Sequence, residues 1–203
     1  MANENTILVT GFDPFGGETI NPAWEAVSRL PDEIGACRVE KLCVPTVFGE
    51  AGRVALERAA RVNPQVVLCV GQAGGRSAVT PEMVAINLRH ASIPDNAGNR
   101  PQDEPVVPGG PAAYFATLPV RAIARRMGEA GIAAAVSYSA GAFVCNDLMY
   151  TVLHHFAGTG VRAGFIHVPF LPEQAKNSAP SMPLDMIVRA LEEAIDEIAL
   201  SID

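Results

Sequence analysis

The stretch IAAAVSYSAGAFVCNDLMYTVLHHF, residues 132–156, decides how the chain is read. Its first part, 132–140, is apolar and predicts a strand. A small-residue turn around Gly141 follows. Val144, Leu148, Val152 and Phe156 then recur every four residues, one apolar stripe that predicts a helix over 144–156. Strand, glycine turn and helix in succession form the repeating unit of an α/β sheet.

The same alternation extends in both directions. TILVTGF (6–12), RVEKLCVP (38–45), QVVLCVG (65–71) and RAGFIHVPF (162–170) read as strands, and MVAINLRHA (83–91) as extended chain. NPAWEAVSRLP reads as a helix with Asn21 as N-cap and Pro22 as its first residue. Helices are also expected in GEAGRVALERAARVNP, where Val54, Ala55, Arg58 and Val62 fall at helical spacing, in 119–131, and in the amphipathic C-terminal segment. The expected fold is a three-layer α/β/α architecture with a twisted, mostly parallel central sheet, one domain over 1–203. Residues 92–111 hold five prolines and read as a long functional loop.

Composition narrows the function classes. With 203 residues, 49% of them hydrophobic, the chain can bury a sizeable core. A net charge of -7 argues against a broad nucleic-acid footprint. No run of apolar residues is long enough for a membrane span. The N-terminal MANENTILVTGF lacks the basic region and apolar stretch of a signal peptide, so a cytoplasmic protein is expected. Four cysteines without C-x-x-C pairing or zinc spacing give neither a disulfide framework nor a metal site. His154 and His155, adjacent on a helix, point to different faces and do not share a metal easily.

In such folds ligands bind beyond the carboxyl ends of the strands. Three chemically capable residues fall at that edge: Glu82 beyond GQAGGR, Cys145 beyond 132–140, and His167 near the tip of the last strand. Free cysteines are usually core, and Cys43 and Cys69, inside apolar runs, read that way. Cys145 differs because it lies in the first turn of a helix, where amides and dipole are expected to lower a thiol pKa and hold an oxyanion. A histidine to activate it and a carboxylate to orient that histidine complete a Cys–His–Glu triad. GFDPFGG adds Phe12 and Phe15 as an apolar wall for a small flat ligand. GQAGGR is not a phosphate loop, since no G-K-[ST] follows, and SYSAG lacks the G-x-S-x-G elbow for Ser139.

GFDPFGGETINPAWE, GQAGGR, TPEMVAIN, IPDNAGNRPQDEPVVPGGPAAYFATLP, SAGAFVCN and AGFIHVPFLPEQ together resemble, in order, the motifs of the pyroglutamyl peptidase I family of cysteine peptidases. The resemblance implies a thiol exopeptidase that removes N-terminal pyroglutamate from peptides. It places the nucleophile on Cys145, the histidine on His167 and the glutamate on Glu82. It places ring-binding contacts on Phe12, Phe15, Gln72, Phe143 and Val144. It implies no metal, no cofactor and a homotetramer.

The sequence departs from the family pattern at four places near these motifs. Met83 and Ser92 stand where arginines are usual, Tyr138 and Ser139 where NT is usual, and Asp147 where histidine is common. Arg76, Arg89 and Arg100 are the cations available to compensate. The loss of two arginines keeps open a second function, a weakly catalytic or non-catalytic binder of lactams or small amides. A nucleoside-handling enzyme on a related sheet rests on fold analogy alone.

Overall fold

The computed structural model describes residues 5–202; Met1–Glu4, the head of the stretch read for a signal peptide, and Asp203 lie outside it. Four strands make the parallel centre: β1 (Asn5–Phe12), β4 (Val66–Gln72) and β8 (Arg162–Val168), rich in apolar residues, and the more polar β3 (Cys37–Val44). Two short strands close the edges antiparallel, β2 (Glu33–Ile34) on β3 and β5 (Thr80–Glu82) on β8. The order is β2-β3-β1-β4-β8-β5.

Side-chain alternation sends each strand's residues to two separate cores. Ile7, Val9, Val66, Leu68, Val70, Ile166 and Val168 pack against α1 (Pro22–Ser28), α3 (Val120–Glu129) and α5 (Leu184–Ala199). Leu8, Phe12, Val67, Cys69, Ala163 and Phe165 face α2 (Glu50–Val62) and α4 (Val144–His155). Helices therefore cover both faces of the sheet, the three-layer arrangement expected. Asn21 caps α1 as predicted, its side chain accepting from the Ala23 amide at 3.0 Å. The buried side of α2 is small: Ala51, Gly52, Ala55 and Ala59. A Cβ on Gly52 would sit 2.7 Å from Thr151 Cγ2, so glycine there lets α2 approach α4 closely.

Two expectations need correction. Residues 132–140 do not form a regular strand. They make only isolated parallel bridges, Val79↔Ala134 and Glu82↔Ser137, to the segment that leads through β5. β5 offers three residues to pair with, and the alanine run beside it has weak β preference. The stretch 83–91 forms a regular strand over β6 (Val84–Ile86) only, where it has left the main sheet to pair antiparallel with β7 (Ala113–Phe115), and it adds one isolated antiparallel bridge, Arg89↔Glu104. No helix among the described residues is long and apolar enough to cross a membrane.

Candidate active site

β4 and β8 run side by side, and their register places Gly71 directly opposite His167. A Cβ on Gly71 would lie 2.9 Å from Cys145 Sγ and 2.7 Å from Phe165 Cζ. Glycine is thus the only residue that leaves the Cys145 sulfur room against β4, next to the strand position of His167. Cys145 reaches that spot because it is the second residue of α4. The turn before the helix passes through Gly141 at φ +79, a left-handed conformation that favours glycine. No side chain caps α4, so its first amides remain uncommitted to a capping side chain.

β5 supplies the third member. Its antiparallel register sets Thr80 opposite His167 and Glu82 opposite Phe165, all on the α4 side of the sheet. Glu82 is fully buried, and its Oε1 accepts from His167 Nδ1 at 2.7 Å. That bond fixes the tautomer: Nδ1 carries the proton toward Glu82, and Nε2 is the nitrogen left to take one. The same Oε1 accepts from Arg76 Nη1 at 2.7 Å. The structure therefore gathers Glu82, Cys145 and His167, residues from three distant parts of the chain, at one sheet edge.

Burial opposes ionisation of Glu82, but hydrogen bonds and charge from His167, with help from Ser137 and Arg76, outweigh it and hold the pKa below the usual carboxylate value. Burial lowers His167, partly offset by Glu82. Cys145 keeps some exposed surface, yet protein surrounds its sulfur. Burial is the main cause, and the Glu82 charge the next, that pushes its thiol up to about 12. The lowered thiol pKa expected from the helix start is not what the resting site has: desolvation exceeds the contribution of the helix amides. The resting state is a neutral thiol beside a neutral imidazole oriented by an ionised carboxylate.

The aromatic residues fall into two groups. Phe12 is 1% exposed, and its ring packs at 6.4 Å from Phe165, which in turn lies 4.7 Å from the His167 ring. It forms a buried floor under the triad. Phe15 and Phe143 are half-buried, with ring centroids 6.1 Å apart, and Phe48 meets Phe143 edge-on at 5.2 Å. A cavity of about 370 Å³ adjoins Phe48 and is lined also by Arg89 and Arg100. Val144, the first residue of α4, is fully buried in the core on that side of the sheet. Gln72, at the end of β4, accepts from Gln174 Nε2 at 3.1 Å, which also reaches the Ile20 carbonyl.

Several supporting residues lie within the quoted motifs but have no role assigned to them from the sequence. Asn146, next to the cysteine and fully buried, bonds the Ile86 amide and the Ile86 and Leu88 carbonyls, tying α4 to the chain that follows Glu82. Asp13 accepts from the Thr46 amide at 2.7 Å, and Asn96 donates to the Pro14 carbonyl at 2.9 Å, so the long loop braces the phenylalanine loop. Asp95 organises that long loop by accepting from the amides of Phe48, Ala97 and Asn99. Asp147 is buried against Arg89 Nε at 2.5 Å and the Gly49 amide at 2.7 Å, which gives this departure a structural partner. Arg100 donates to the backbone carbonyls of Ala91 and Ser92. Among the described residues no group of three or more His, Cys, Asp or Glu is placed to hold a metal ion.

Known proteins resemble this chain over nearly its full length. The family model for pyroglutamyl peptidase matches residues 5–201. The pyrrolidone-carboxylate peptidase of Escherichia fergusonii is 54% identical over 194 residues, 94% of this chain and 91% of that protein. That of Enterococcus faecalis is 52% identical, covering 91% of this chain and 89% of its own. The crystal structure of Bacillus amyloliquefaciens pyroglutamyl peptidase I superposes with a TM-score of 0.95 at 49% identity, over 98% of this chain and 99% of that one. A mutant pyrrolidone carboxyl peptidase from Pyrococcus furiosus gives 0.94 at 42% identity, over 98% and 100% of the two chains. With its fold and its sequence in agreement, the chain belongs to the pyroglutamyl peptidase family of cysteine-type hydrolases.

Proposed function

We propose that the protein hydrolyses the bond after an N-terminal pyroglutamyl residue of peptides, with Cys145 as nucleophile, His167 as acid and base, and Glu82 as the orienting carboxylate. The observation that carries this reading is the Cys145 sulfur seated over Gly71, opposite the His167 position whose imidazole is bonded to buried Glu82. His167 Nε2 takes the thiol proton as sulfur attacks the pyroglutamyl carbonyl. The first amides of α4 support the oxyanion. His167 then returns the proton to the leaving amine, giving a thioester. Water activated by His167 cleaves that thioester and frees pyroglutamate.

A neutral thiol at rest suits this order of events, because the proton that His167 gives to the leaving amine comes from Cys145 itself. Pyroglutamate is a neutral lactam with no free α-amine, so its pocket needs apolar walls and a few hydrogen-bonding groups. Phe15 and Phe143 supply the walls above the Phe12 floor, buried Val144 backs them from the core, and Gln72 is a polar group at the strand end. No metal or other cofactor takes part. We further propose a cytoplasmic homotetramer. Phe115, 70% exposed on β7 and flanking a groove lined by Tyr114, Leu153 and Phe156, is a surface that such contacts would cover.

The test is release of arylamine from a pyroglutamyl-arylamide reporter. Wild type turns it over, Cys145→Ala and thiol alkylation abolish turnover, and a chelator leaves it unchanged. Binding of a pyroglutamate analogue without turnover by the wild-type protein contradicts the reading.

A further inference from the structure

We infer that Arg76 is a positioning residue for the reaction, acting through Glu82 to hold the orienting carboxylate and to keep His167 a reversible base. The inference rests on the triad assignment above and concerns a residue that touches neither substrate nor reacting atoms.

Arg76 leaves β4 in the turn after Gln72, and the turn is firmly held. The Ala73 amide bonds the Val168 carbonyl at 2.9 Å. Phe170 packs so closely on Gly74 that a Cβ there would lie 2.0 Å from its Cζ. From this turn the guanidinium reaches three groups at once: Glu82 Oε1 at 2.7 Å, the Thr80 hydroxyl, and the Ser139 carbonyl at 3.3 Å. Thr80 is the register partner of His167, and Ser139 lies in the turn that leads to Cys145. One side chain thus ties the turn after β4 to β5 and to the turn that leads into α4.

The chemistry follows from sharing one oxygen. Glu82 Oε1 receives both His167 Nδ1 and Arg76, while Oε2 is buried without a hydrogen bond of ordinary geometry. A carboxylate so buried beside a neutral imidazole tends to take up a proton; a fixed guanidinium keeps it ionised. The same cation competes with His167 for the carboxylate. It therefore limits how strongly Glu82 stabilises the imidazolium, and His167 can give its proton to the leaving amine. The charged and titratable groups that meet here are Glu82, His167, Cys145 and Arg76, with buried Cys69 of β4 beside Cys145. Arg76 works against a positive His167 and in favour of a negative Cys145.

The experiment is steady-state kinetics of the full chain on the pyroglutamyl-arylamide across pH, with Arg76→Gln, Arg76→Lys and Thr80→Val beside wild type. Arg76→Gln is expected to lose roughly 10- to 100-fold in kcat with KM within about twofold. Both limbs of its pH profile are expected to move to higher pH. Arg76→Lys, which keeps the charge but not the planar fork, is expected to hold the limbs in place with a partial loss of kcat. Thr80→Val, which loosens the guanidinium, is expected to move in the same direction as Arg76→Gln by less, and it keeps the test open if that variant does not fold. Unchanged kcat and limbs in Arg76→Gln, or a rise in KM alone, overturn the inference. Turnover in Cys145→Ala, measured alongside, would instead remove the triad on which it rests.

Discussion

Gly71 limits what the site tolerates at the scale of single residues. Its missing side chain is the space occupied by the Cys145 sulfur and the Phe165 ring edge. Gly71→Ala is expected to cost about 1–3 kcal/mol from overpacking and to displace the Cys145 sulfur. A displacement near 1 Å lowers kcat/KM by about 100-fold; thermal unfolding and kinetics separate the two effects. The ionisation states give a second prediction. Burial holds the His167 pKa below its ordinary 6.5, so on falling pH the unfolded chain binds that proton before the folded one does. Stability from this group is complete above the ordinary value and declines as pH falls through the lowered one. Urea unfolding between neutral and acid pH should therefore be less pH-dependent in His167→Gln than in wild type. For Cys145 the direction is reversed: thiolate absorbance in the folded protein should rise only toward a pKa of about 12.

At the scale of elements, α4 carries both the proposed nucleophile, Cys145, and Asp147, the buried half of an ion pair with partly buried Arg89. Burial pushes the Asp147 pKa up, against the pull of Gly49 and Arg89. Arg89→Met leaves that carboxylate without its cation and is expected to destabilise the protein by about 3–5 kcal/mol. Arg89→Met combined with Asp147→Asn should recover a large part of the loss, as measured by a double-mutant cycle in denaturant. The major strands, the five helices of the described residues and the edge that gathers Glu82, Cys145 and His167 were legible in the sequence, because apolar runs and four-residue spacing report burial directly. The 132–140 segment misled because apolar content does not reveal whether a neighbouring strand is long enough to pair. The break at Met83 was hidden for the same reason. Asn146 and the exchange of histidine for Asp147 acquire meaning only from partners distant in sequence, such as Arg89, 58 residues from Asp147. The thiol pKa expectation weighed the helix start and omitted burial by β4 and Phe165, which no local pattern encodes.

At the scale of the whole molecule, one sheet with helices on both faces puts every proposed reacting group on the α4 side and leaves α1, α3 and α5 to build the opposite core. The function therefore depends on crossovers that bring β4, β5 and β8 together, and destabilising the α5 side should lower stability before it changes kcat. The exposed Phe115 belongs to this scale as well. Sedimentation of wild type should show a tetramer, and Phe115→Asp should shift it toward smaller species; an unchanged distribution would place the contacts elsewhere. The claim on which the rest depends is a covalent one, that the acyl group passes through the Cys145 sulfur. Intact-mass analysis of protein quenched in acid during turnover of a pyroglutamyl ester tests it most directly. A single pyroglutamyl adduct mapping to Cys145 and missing from Cys145→Ala is expected; turnover by Cys145→Ala, or an adduct on another residue, would contradict it.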